Sequence, residues 1–182
     1  EYLVAATLRP ETVFGQTNFW ANPDVEYVRA KVGDETWILS AEGAQKLGFQ
    51  KYVEVIGTVS GRSLIGRTVK APVVGTNIPV LPSAFTDPDY GTGLVTSVPS
   101  DAPYDWMALR DLAGNKEECR KYGLDPEKVA AIKPVPIIET KGWGPTPAVE
   151  ICEKMGIKDQ KDPRLEEATK EIYKAGFHTG RM

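Results

Sequence analysis

The sequence predicts an α+β fold, with a β-barrel-like core of short strands, surrounding helices and a mainly helical insertion. The first half consists of short β-rich runs separated by Gly and Pro, which is typical of a barrel or a tightly curled sheet. From about Asn115 onward, charged stretches with helical spacing replace these runs. Apolar residues make up 41% of the 182 residues, which is enough to fill one core.

The predicted strands and turns of the first half follow one another closely. Residues 2–7 form a compact β-rich run, and Gly33-Asp34 separates two alternating segments, which indicates a hairpin. Ser40 is a predicted N-cap for a short helix that ends near Gly48. Three more runs with strand composition follow: "YVEVIGTVS", "RTVKAPVV" and "NIPVLPSAF".

Helices dominate the rest of the chain. Residues 94–98 predict a last strand, and residues 101–113 predict a helix with Trp106, Leu109 and Leu112 at helical spacing. Pro- and Gly-rich links separate four further helical stretches: "NKEECRKYG", "DPEKVAAI", "PAVEICEKMG" and "RLEEATKEIYKAG". We interpret this part as a helical appendage on the β core.

Composition restricts the classes of function. The net charge of −3 argues against a domain that binds nucleic acid through a basic face. It does not argue against a site that binds one end of a nucleic acid. Cys119 and Cys152 have neither metal-ligand nor disulfide-framework spacing, so we expect a cytoplasmic setting. No apolar run reaches membrane-spanning length, and we expect no membrane partner. The chain begins within a predicted strand and ends just after a helix, so we expect a piece of a longer polypeptide. We also expect this piece to be monomeric.

His178 is the only histidine, and we interpret it as a surface imidazole at a helix end. A nucleophile–histidine site would have to recruit this residue or do without histidine. One histidine and two scattered cysteines are a weak ligand set, so we expect no metal.

Two stretches have compositions that suit a ligand site, "TLRPETVFGQTN" at residues 7–18 and "GTGLVTSVPSDAPYDW" at residues 91–106. Structural roles explain each stretch alone. Pro10 suits a first helical turn, the glycines allow an unusual turn or a close backbone approach, and Asp101 and Asp105 suit a helix N-terminus. Both stretches are also strand-to-helix junctions rich in hydroxyls or carboxylates. A carboxylate there can bind an ammonium group, and threonine can both donate a hydrogen bond and block space.

Together, "ATLRPETVFGQTNFWANP" and "GTGLVTSVPSDAPYDWMAL" closely resemble the editing domain of leucyl-tRNA synthetases, the insertion called connective polypeptide 1. The residues of both motifs are similar to those of the archaeal and eukaryotic cytosolic branch. Valyl enzymes share "RPET" but continue "MLGD", so they are the alternative. The resemblance implies one editing domain over residues 1–182, in which residues 114–162 form a branch-specific, mainly helical insertion.

The resemblance implies hydrolysis of the ester that joins norvaline, isoleucine or methionine to leucine tRNA, with the corresponding adenylates as a further candidate substrate class. A non-catalytic module that binds the tRNA end is the other alternative. The expected partners are the 3′ end of that tRNA and the catalytic core of the same synthetase chain. No cofactor is expected for editing, whereas the synthetic part of the whole enzyme would use ATP and magnesium.

By resemblance, Asp105 binds the α-amino group of the substrate, and Thr12 keeps the leucine side chain from seating productively. Thr7 is implied to lie beside the reacting carbonyl and its water. Arg9 is expected near the terminal adenosine. The other implied substrate-binding residues are Tyr90, Thr92, Thr96 and Val98.

Two departures from the bacterial pattern bear on the mechanism. Leu8 stands where that pattern has another threonine, and "PSDAPYD" lacks its histidine. We therefore expect water to be oriented by Thr7 and by a ribose hydroxyl of the substrate, with fixed dipoles stabilising the oxyanion. We expect Thr17 to be structural.

Overall fold

A computed structural model describes all 182 residues and confirms the α+β class. The strands are Tyr2–Leu3 (β1), Asn18–Ala21 (β2), Glu26–Val32 (β3), Glu35–Leu39 (β4), Glu54–Ser60 (β5), Thr68–Lys70 (β6), Asn77–Pro82 (β7), Leu94–Ser97 (β8), Glu139–Thr140 (β9) and Gly180–Arg181 (β10). The α-helices are Ala41–Gly48 (α1), Gly61–Leu64 (α2), Pro103–Gly114 (α3), Lys116–Lys121 (α4), Pro126–Ala130 (α5), Pro147–Lys154 (α6) and Leu165–Thr179 (α7). A 3₁₀ helix spans Pro10–Gly15.

The chain divides into two compact units. Unit 1 contains almost all residues of β1 to β8, together with α1 and α2; its segments are Glu1–Arg9, Asn18–Lys70 and Asn77–Thr96. Unit 2 contains the 3₁₀ helix, α3 to α7 and the β9–β10 pair; its segments are Pro10–Thr17, Ala71–Thr76 and Ser97–Met182.

Two four-stranded sheets form the β-rich part of the molecule. In the first, with order β1-β4-β3-β5, β3 is antiparallel to both neighbours and β1 is parallel to β4. In the second, with order β6-β7-β2-β8, β7 is antiparallel to β6 and parallel to β2. The predicted β-rich core is therefore present as open sheets and not as a closed barrel.

The predicted hairpin and helix cap of unit 1 are confirmed. Val32 pairs with Glu35 across the turn, where Gly33 has a φ of 61°, a conformation that glycine adopts without strain. Ser40 caps α1, because its Oγ accepts a hydrogen bond from the Gly43 N–H at 3.0 Å. A cluster of buried side chains from β3, β4 and α1 forms a core here: Val28, Ala30, Val32, Leu39 and Ala44.

Helices α3, α6 and α7 enclose the core of unit 2. Its buried members are Met107, Ile151, Cys152, Ile157, Leu165, Ala168 and Ile172. Burial raises the pKa of the Cys152 thiol to about 11, so the side chain stays neutral near pH 7. Both cysteines are free.

Some element boundaries differ from the sequence prediction. The β-rich run 2–7 pairs only as β1, after which the Val4 N–H donates to the Ile38 carbonyl at 3.1 Å and the chain leaves the sheet. Helix α3 begins at Pro103 and not at Asp101, since proline is favoured in the first helical turn. The four predicted helical stretches are α4 to α7. The boundaries of the insertion stay a prediction. None of the helices has the length and apolar character needed to cross a membrane.

Candidate functional site

The first motif enters unit 2 as a short helix with one buried face. Pro10 opens the 3₁₀ helix, where its missing N–H leaves no partner unsatisfied. Thr12 and Gly15 are its two buried residues. A 3₁₀ helix has three residues per turn, so these two positions lie on the same face. Thr12, which the resemblance implies keeps the leucine side chain from seating productively, therefore shares a packed face with Gly15.

The second motif brings Asp105 to a fixed position in unit 2. Asp105 is the third residue of α3 and is 6% exposed. The Val98 N–H donates a hydrogen bond to Asp105 Oδ2 at 2.8 Å. A hydrogen bond to an ionised carboxylate is stronger than a neutral one, and it also orients the group. The carboxylate thus reaches back past the start of its own helix to the end of β8.

Val98 connects the two motifs within unit 2. Its Cγ1 lies 3.1 Å from where a Cβ on Gly15 would stand, so the 3₁₀ helix packs directly on this side chain. The Thr17 N–H also donates to the Ser97 carbonyl at 3.1 Å. Val98 therefore contacts the segment that bears Thr12 through its side chain and holds Asp105 through its N–H.

The loop between Val98 and α3 is closed by its own hydrogen bonds. The Val98 carbonyl accepts from the N–H groups of Asp101 and Ala102 at 3.1 and 3.0 Å. The Ser100 hydroxyl donates to Asp101 Oδ2, and both residues are buried. Ala102, not Asp101, occupies the N-cap of α3, and its side chain makes no cap hydrogen bond. Asp101 thus stabilises the loop. The sequence had instead suggested that Asp101 lies at the N-terminus of the helix.

In unit 1, the start of the first motif is open to solvent. Thr7 is exposed, and its Oγ1 accepts a hydrogen bond from the Arg9 N–H at 3.0 Å. Leu8 between them is 97% exposed, and Arg9 is half-buried. The Thr7 hydroxyl is therefore held by the backbone two residues on, at a surface position.

The glycines of the second motif serve a turn that packs against α1, also in unit 1. Gly91 and Gly93 have φ values of 61° and 70°. A Cβ on Gly93 would lie 2.7 Å from Ser40 Cβ, and the Ser40 N–H donates to the Thr92 carbonyl at 2.8 Å. The Tyr27 hydroxyl donates to the Gly93 carbonyl at 3.0 Å, and burial raises the pKa of this phenol, which keeps it protonated.

The remaining predicted residues of unit 1 differ in exposure. Tyr90 is 79% exposed. The Thr92 hydroxyl donates to the Leu94 carbonyl at 3.2 Å. Thr96 is half-buried on β8, and its Oγ1 is shielded from solvent without a hydrogen-bond partner in the protein. Such a hydroxyl is costly to bury, which suits a position that meets a polar ligand atom.

The eight predicted residues are thus divided between the units. Thr12, Val98 and Asp105 belong to unit 2, where adjoining segments carry them. The other five belong to unit 1: Thr7, Arg9, Tyr90, Thr92 and Thr96. Their roles in catalysis and binding stay predictions.

Two clefts in unit 2 are lined by other residues. One, of about 540 Å³, is lined by Glu139, Thr140, Lys141, Gly142, Trp143, His178, Thr179, Gly180 and Arg181. The other, of about 490 Å³, is lined by Pro136, Ile137, Ile138, Glu139, Trp143, Gly144, Pro145, Arg181 and Met182. His178 is exposed in the last turn of α7, as the sequence predicted. The structure contains no group of three or more His, Cys, Asp or Glu side chains suited to hold a metal ion.

Curated relatives of this chain are leucine–tRNA ligases. The chain is 51% identical to the enzyme of Pyrococcus abyssi over 185 residues and 49% identical to that of Methanothermobacter thermautotrophicus over 182 residues. These alignments cover 98% and 100% of this chain but only 19% of each relative. The chain therefore spans about a fifth of the length of these enzymes. No protein-family model matches the chain.

Solved structures with the same fold cover the whole chain. The crystal structure of GlLeuRS-CP1 aligns with a TM-score of 0.91 and 39% identity, over 100% of this chain and 71% of that one. The P. knowlesi cytosolic leucyl-tRNA synthetase editing domain aligns with a TM-score of 0.90 at 22% identity, over 99% of this chain and 72% of that one, and supports the fold. The valyl alternative has no such support among these relatives. The chain belongs to the leucyl-tRNA synthetase family and corresponds to its connective polypeptide 1 editing domain.

Proposed function

We propose that this domain hydrolyses the ester bond of leucine tRNA that carries norvaline, isoleucine or methionine. Aminoacyl-adenylates of the same amino acids are a second candidate substrate class. A synthetic site rejects an amino acid that differs by one methylene only weakly, by about 1–3 kcal/mol, so a second, hydrolytic site is needed for accuracy. Membership of the leucyl-tRNA synthetase family supports this proposal.

The observation that carries the proposal is the connection made by Val98. Its N–H donates to the buried carboxylate of Asp105, and its side chain packs on the helix that bears Thr12. A buried, oriented carboxylate is a natural partner for the α-ammonium group of an aminoacyl ester, because both charges are then compensated. Anchoring the ammonium at Asp105 would hold the amino-acid side chain at a defined distance from the neighbouring segment.

Thr12 is the proposed steric filter on that segment. Its β-branched side chain has few rotamers, so its methyl group occupies a defined volume. A γ-branched leucine side chain would collide with this methyl group, whereas the unbranched norvaline chain would pass. The cognate ester would then bind without reaching a productive geometry, and it would survive.

The proposed chemistry uses positioning and fixed dipoles. The single histidine is exposed at the end of α7 in unit 2, so the proposal assigns it no proton transfer. Thr7 is the candidate group that orients the attacking water together with a ribose hydroxyl of the substrate, and Arg9 is the candidate contact of the terminal adenosine. Correct placement of reactants lowers a barrier by several kcal/mol, up to about 7–11 kcal/mol in well-oriented systems.

The proposed partners are the 3′ end of leucine tRNA and the catalytic core of the same synthetase chain, in the cytoplasm. The chain has a net charge of −3, so most of the affinity for tRNA is expected from other parts of the enzyme. Editing needs no cofactor in this proposal, whereas ATP and magnesium serve the synthetic reaction elsewhere in the enzyme.

The decisive experiment replaces the anchoring carboxylate in the whole synthetase. We expect Asp105→Ala to reduce deacylation of norvalyl- and isoleucyl-tRNA by about 100-fold or more, the scale seen when a charged group leaves a catalytic site. Asp105→Asn keeps the shape but not the charge and should be nearly as impaired. Glu171→Ala, an exposed carboxylate on α7 of the same unit, is the control and should deacylate normally.

The same assay separates the competing function. If the domain only binds the tRNA end, wild-type enzyme will not release norvaline from tRNA faster than the uncatalysed reaction does, and the proposed function is then wrong. If Asp105→Ala hydrolyses the ester at the wild-type rate, Asp105 does not anchor the substrate.

A further inference from the structure

We propose that Ile137 is a positioning residue that sets the amino-acid discrimination of this domain. This inference rests on the proposed function, because it concerns how Thr12 is held. Ile137 lies outside both motifs, in the link between α5 and β9. It contacts neither substrate nor water in this proposal, and it acts through the 3₁₀ helix that bears Thr12.

Ile137 packs closely against this helix at Gly15. A Cβ placed on Gly15 would stand 2.9 Å from Ile137 Cδ1 and 3.2 Å from Ile137 Cγ2. It would also stand 3.1 Å from Val98 Cγ1. The backbone of the helix at Gly15 thus packs closely against two branched aliphatic side chains, and an alanine there would require Ile137 or Val98 to shift.

The geometry of a 3₁₀ helix passes this contact on to Thr12. Gly15 follows Thr12 by one full turn, so both residues belong to the face that packs inward. Moving Gly15 along the direction of Ile137 therefore moves the Thr12 methyl group as well. A filter that separates side chains by a single branch depends on sub-ångström placement, since a displacement of about 1 Å can cost about 100-fold in rate.

The link that carries Ile137 is itself anchored at both ends. The Ile132 N–H donates to the Val129 carbonyl at the end of α5, and Thr140 pairs with Gly180 in the β9–β10 ladder. Pro134 and Pro136 fix two φ angles between these points, which reduces the freedom of the link. The two motifs do not indicate a function for the helical part of the chain. Through Ile137, this part would contribute to amino-acid discrimination.

The test compares variants of the whole synthetase in one measurement, the ratio of deacylation rates for norvalyl- and leucyl-tRNA. We expect Ile137→Ala to lower this ratio by about tenfold, chiefly through faster loss of leucine, the effect of about one methylene in such a filter. Ile137→Val removes only Cδ1, and it should lower the ratio by about threefold, which is less than the effect of a whole methylene in the pocket. Val135→Ala changes an exposed residue of the same link and is the matched control.

A paired variant distinguishes positioning from general support. Gly15→Ala should disturb the ratio because its new methyl group meets Ile137 Cδ1. Adding Ile137→Val removes that atom, so the double variant should lie closer to wild type than Gly15→Ala does. This compensation is a signature of direct coupling between neighbouring sites.

Three results would overturn the inference. An unchanged ratio in Ile137→Ala would show that the contact does not set discrimination. An equal loss of activity on both substrates would make Ile137 a general structural support, and absence of compensation would show no coupling to Gly15. If Asp105→Ala abolishes norvalyl deacylation while these results are obtained, only this inference fails. If the wild-type synthetase does not deacylate norvalyl-tRNA, the proposed function fails as well.

Discussion

The candidate residues of unit 2 are buried and held by specific partners, whereas several of those in unit 1 face solvent. Asp105 accepts from the Val98 N–H, and Thr12 lies on the packed face of its helix. In unit 1, Thr7 is exposed and Tyr90 is 79% exposed. Buried side chains with fixed neighbours can discriminate between amino acids by shape. Exposed ones suit contact with a larger ligand such as a tRNA end.

Packing explains why buried residues suit a steric filter better than exposed ones do. A close-packed interior has few voids, so an added or removed methyl group changes what fits. A side chain at the surface can move aside at little cost and excludes nothing. We therefore expect substitutions in unit 2 to change which amino acid is removed, and substitutions at exposed positions of unit 1 to change how fast or how tightly the substrate is handled.

The largest expected change in selectivity is at Thr12. Thr12→Ala should raise hydrolysis of leucyl-tRNA by about 10–100-fold, the value of one methyl group in an amino-acid pocket. Thr12→Ser also lacks the methyl group and should behave like Thr12→Ala, whereas Thr12→Val should still protect leucine. The measurement is deacylation of leucine tRNA charged with leucine, isoleucine or norvaline, side by side.

Thr17→Ala is the control for this series, because Thr17 closes the same segment through its backbone N–H, which the substitution retains. It should leave the preference for norvaline unchanged. If Thr12→Ala still protects leucyl-tRNA, Thr12 is not part of the filter. The expectation that buried residues of unit 2 set the amino-acid selectivity would then be contradicted.

Local signals in the sequence were enough to predict most helices and strands and to locate both motifs along the chain. The Gly33-Asp34 turn, the Ser40 cap and the Pro10 helix start each depend on residues within one turn of the chain, and all three are present in the structure. The role of Gly91 and Gly93 was ambiguous, because the sequence allowed either an unusual turn or the close approach of a ligand to the backbone. The structure shows the approach of α1.

Contacts that join distant positions could not be predicted in this way. The bond from the Val98 N–H to Asp105 crosses a helix start, and ordinary capping rules would direct this carboxylate to a nearer N–H. Ile137 lies far along the chain from Gly15 in a Pro-rich link without periodicity, so no local pattern marks it. Gly15 in the first motif was the one available sign of this contact, because a glycine often marks a position where another group comes close to the backbone.

A smaller effect is expected at Thr7, and it tests whether an exposed residue of unit 1 takes part in the chemistry. Thr7→Val keeps the shape but removes the hydroxyl that accepts from the Arg9 N–H. We expect the single-turnover rate on norvalyl-tRNA to fall by about tenfold, the scale of one lost hydrogen bond of roughly 1.5 kcal/mol. The preference for norvaline over leucine should persist. Thr7→Ser restores the hydroxyl and should restore the rate, and a normal rate in Thr7→Val would exclude Thr7 from water orientation.

The smallest expected effect is at Tyr90, the most exposed of the candidate residues on the turn before β8. Tyr90→Ala should weaken binding of the tRNA end by about three- to fivefold, less than full loss of a base–aromatic stacking contact of about 1–3 kcal/mol, because an exposed ring is only partly desolvated by its ligand. The change should appear in KM and leave kcat and the norvaline preference intact. Tyr52 of unit 1 is 80% exposed and gives a matched control, so Tyr52→Ala should leave KM unchanged. Equal effects of the two substitutions would mean that Tyr90 has no specific contact with the tRNA end, and a changed amino-acid preference in Tyr90→Ala would mean that surface residues of unit 1 also filter the side chain.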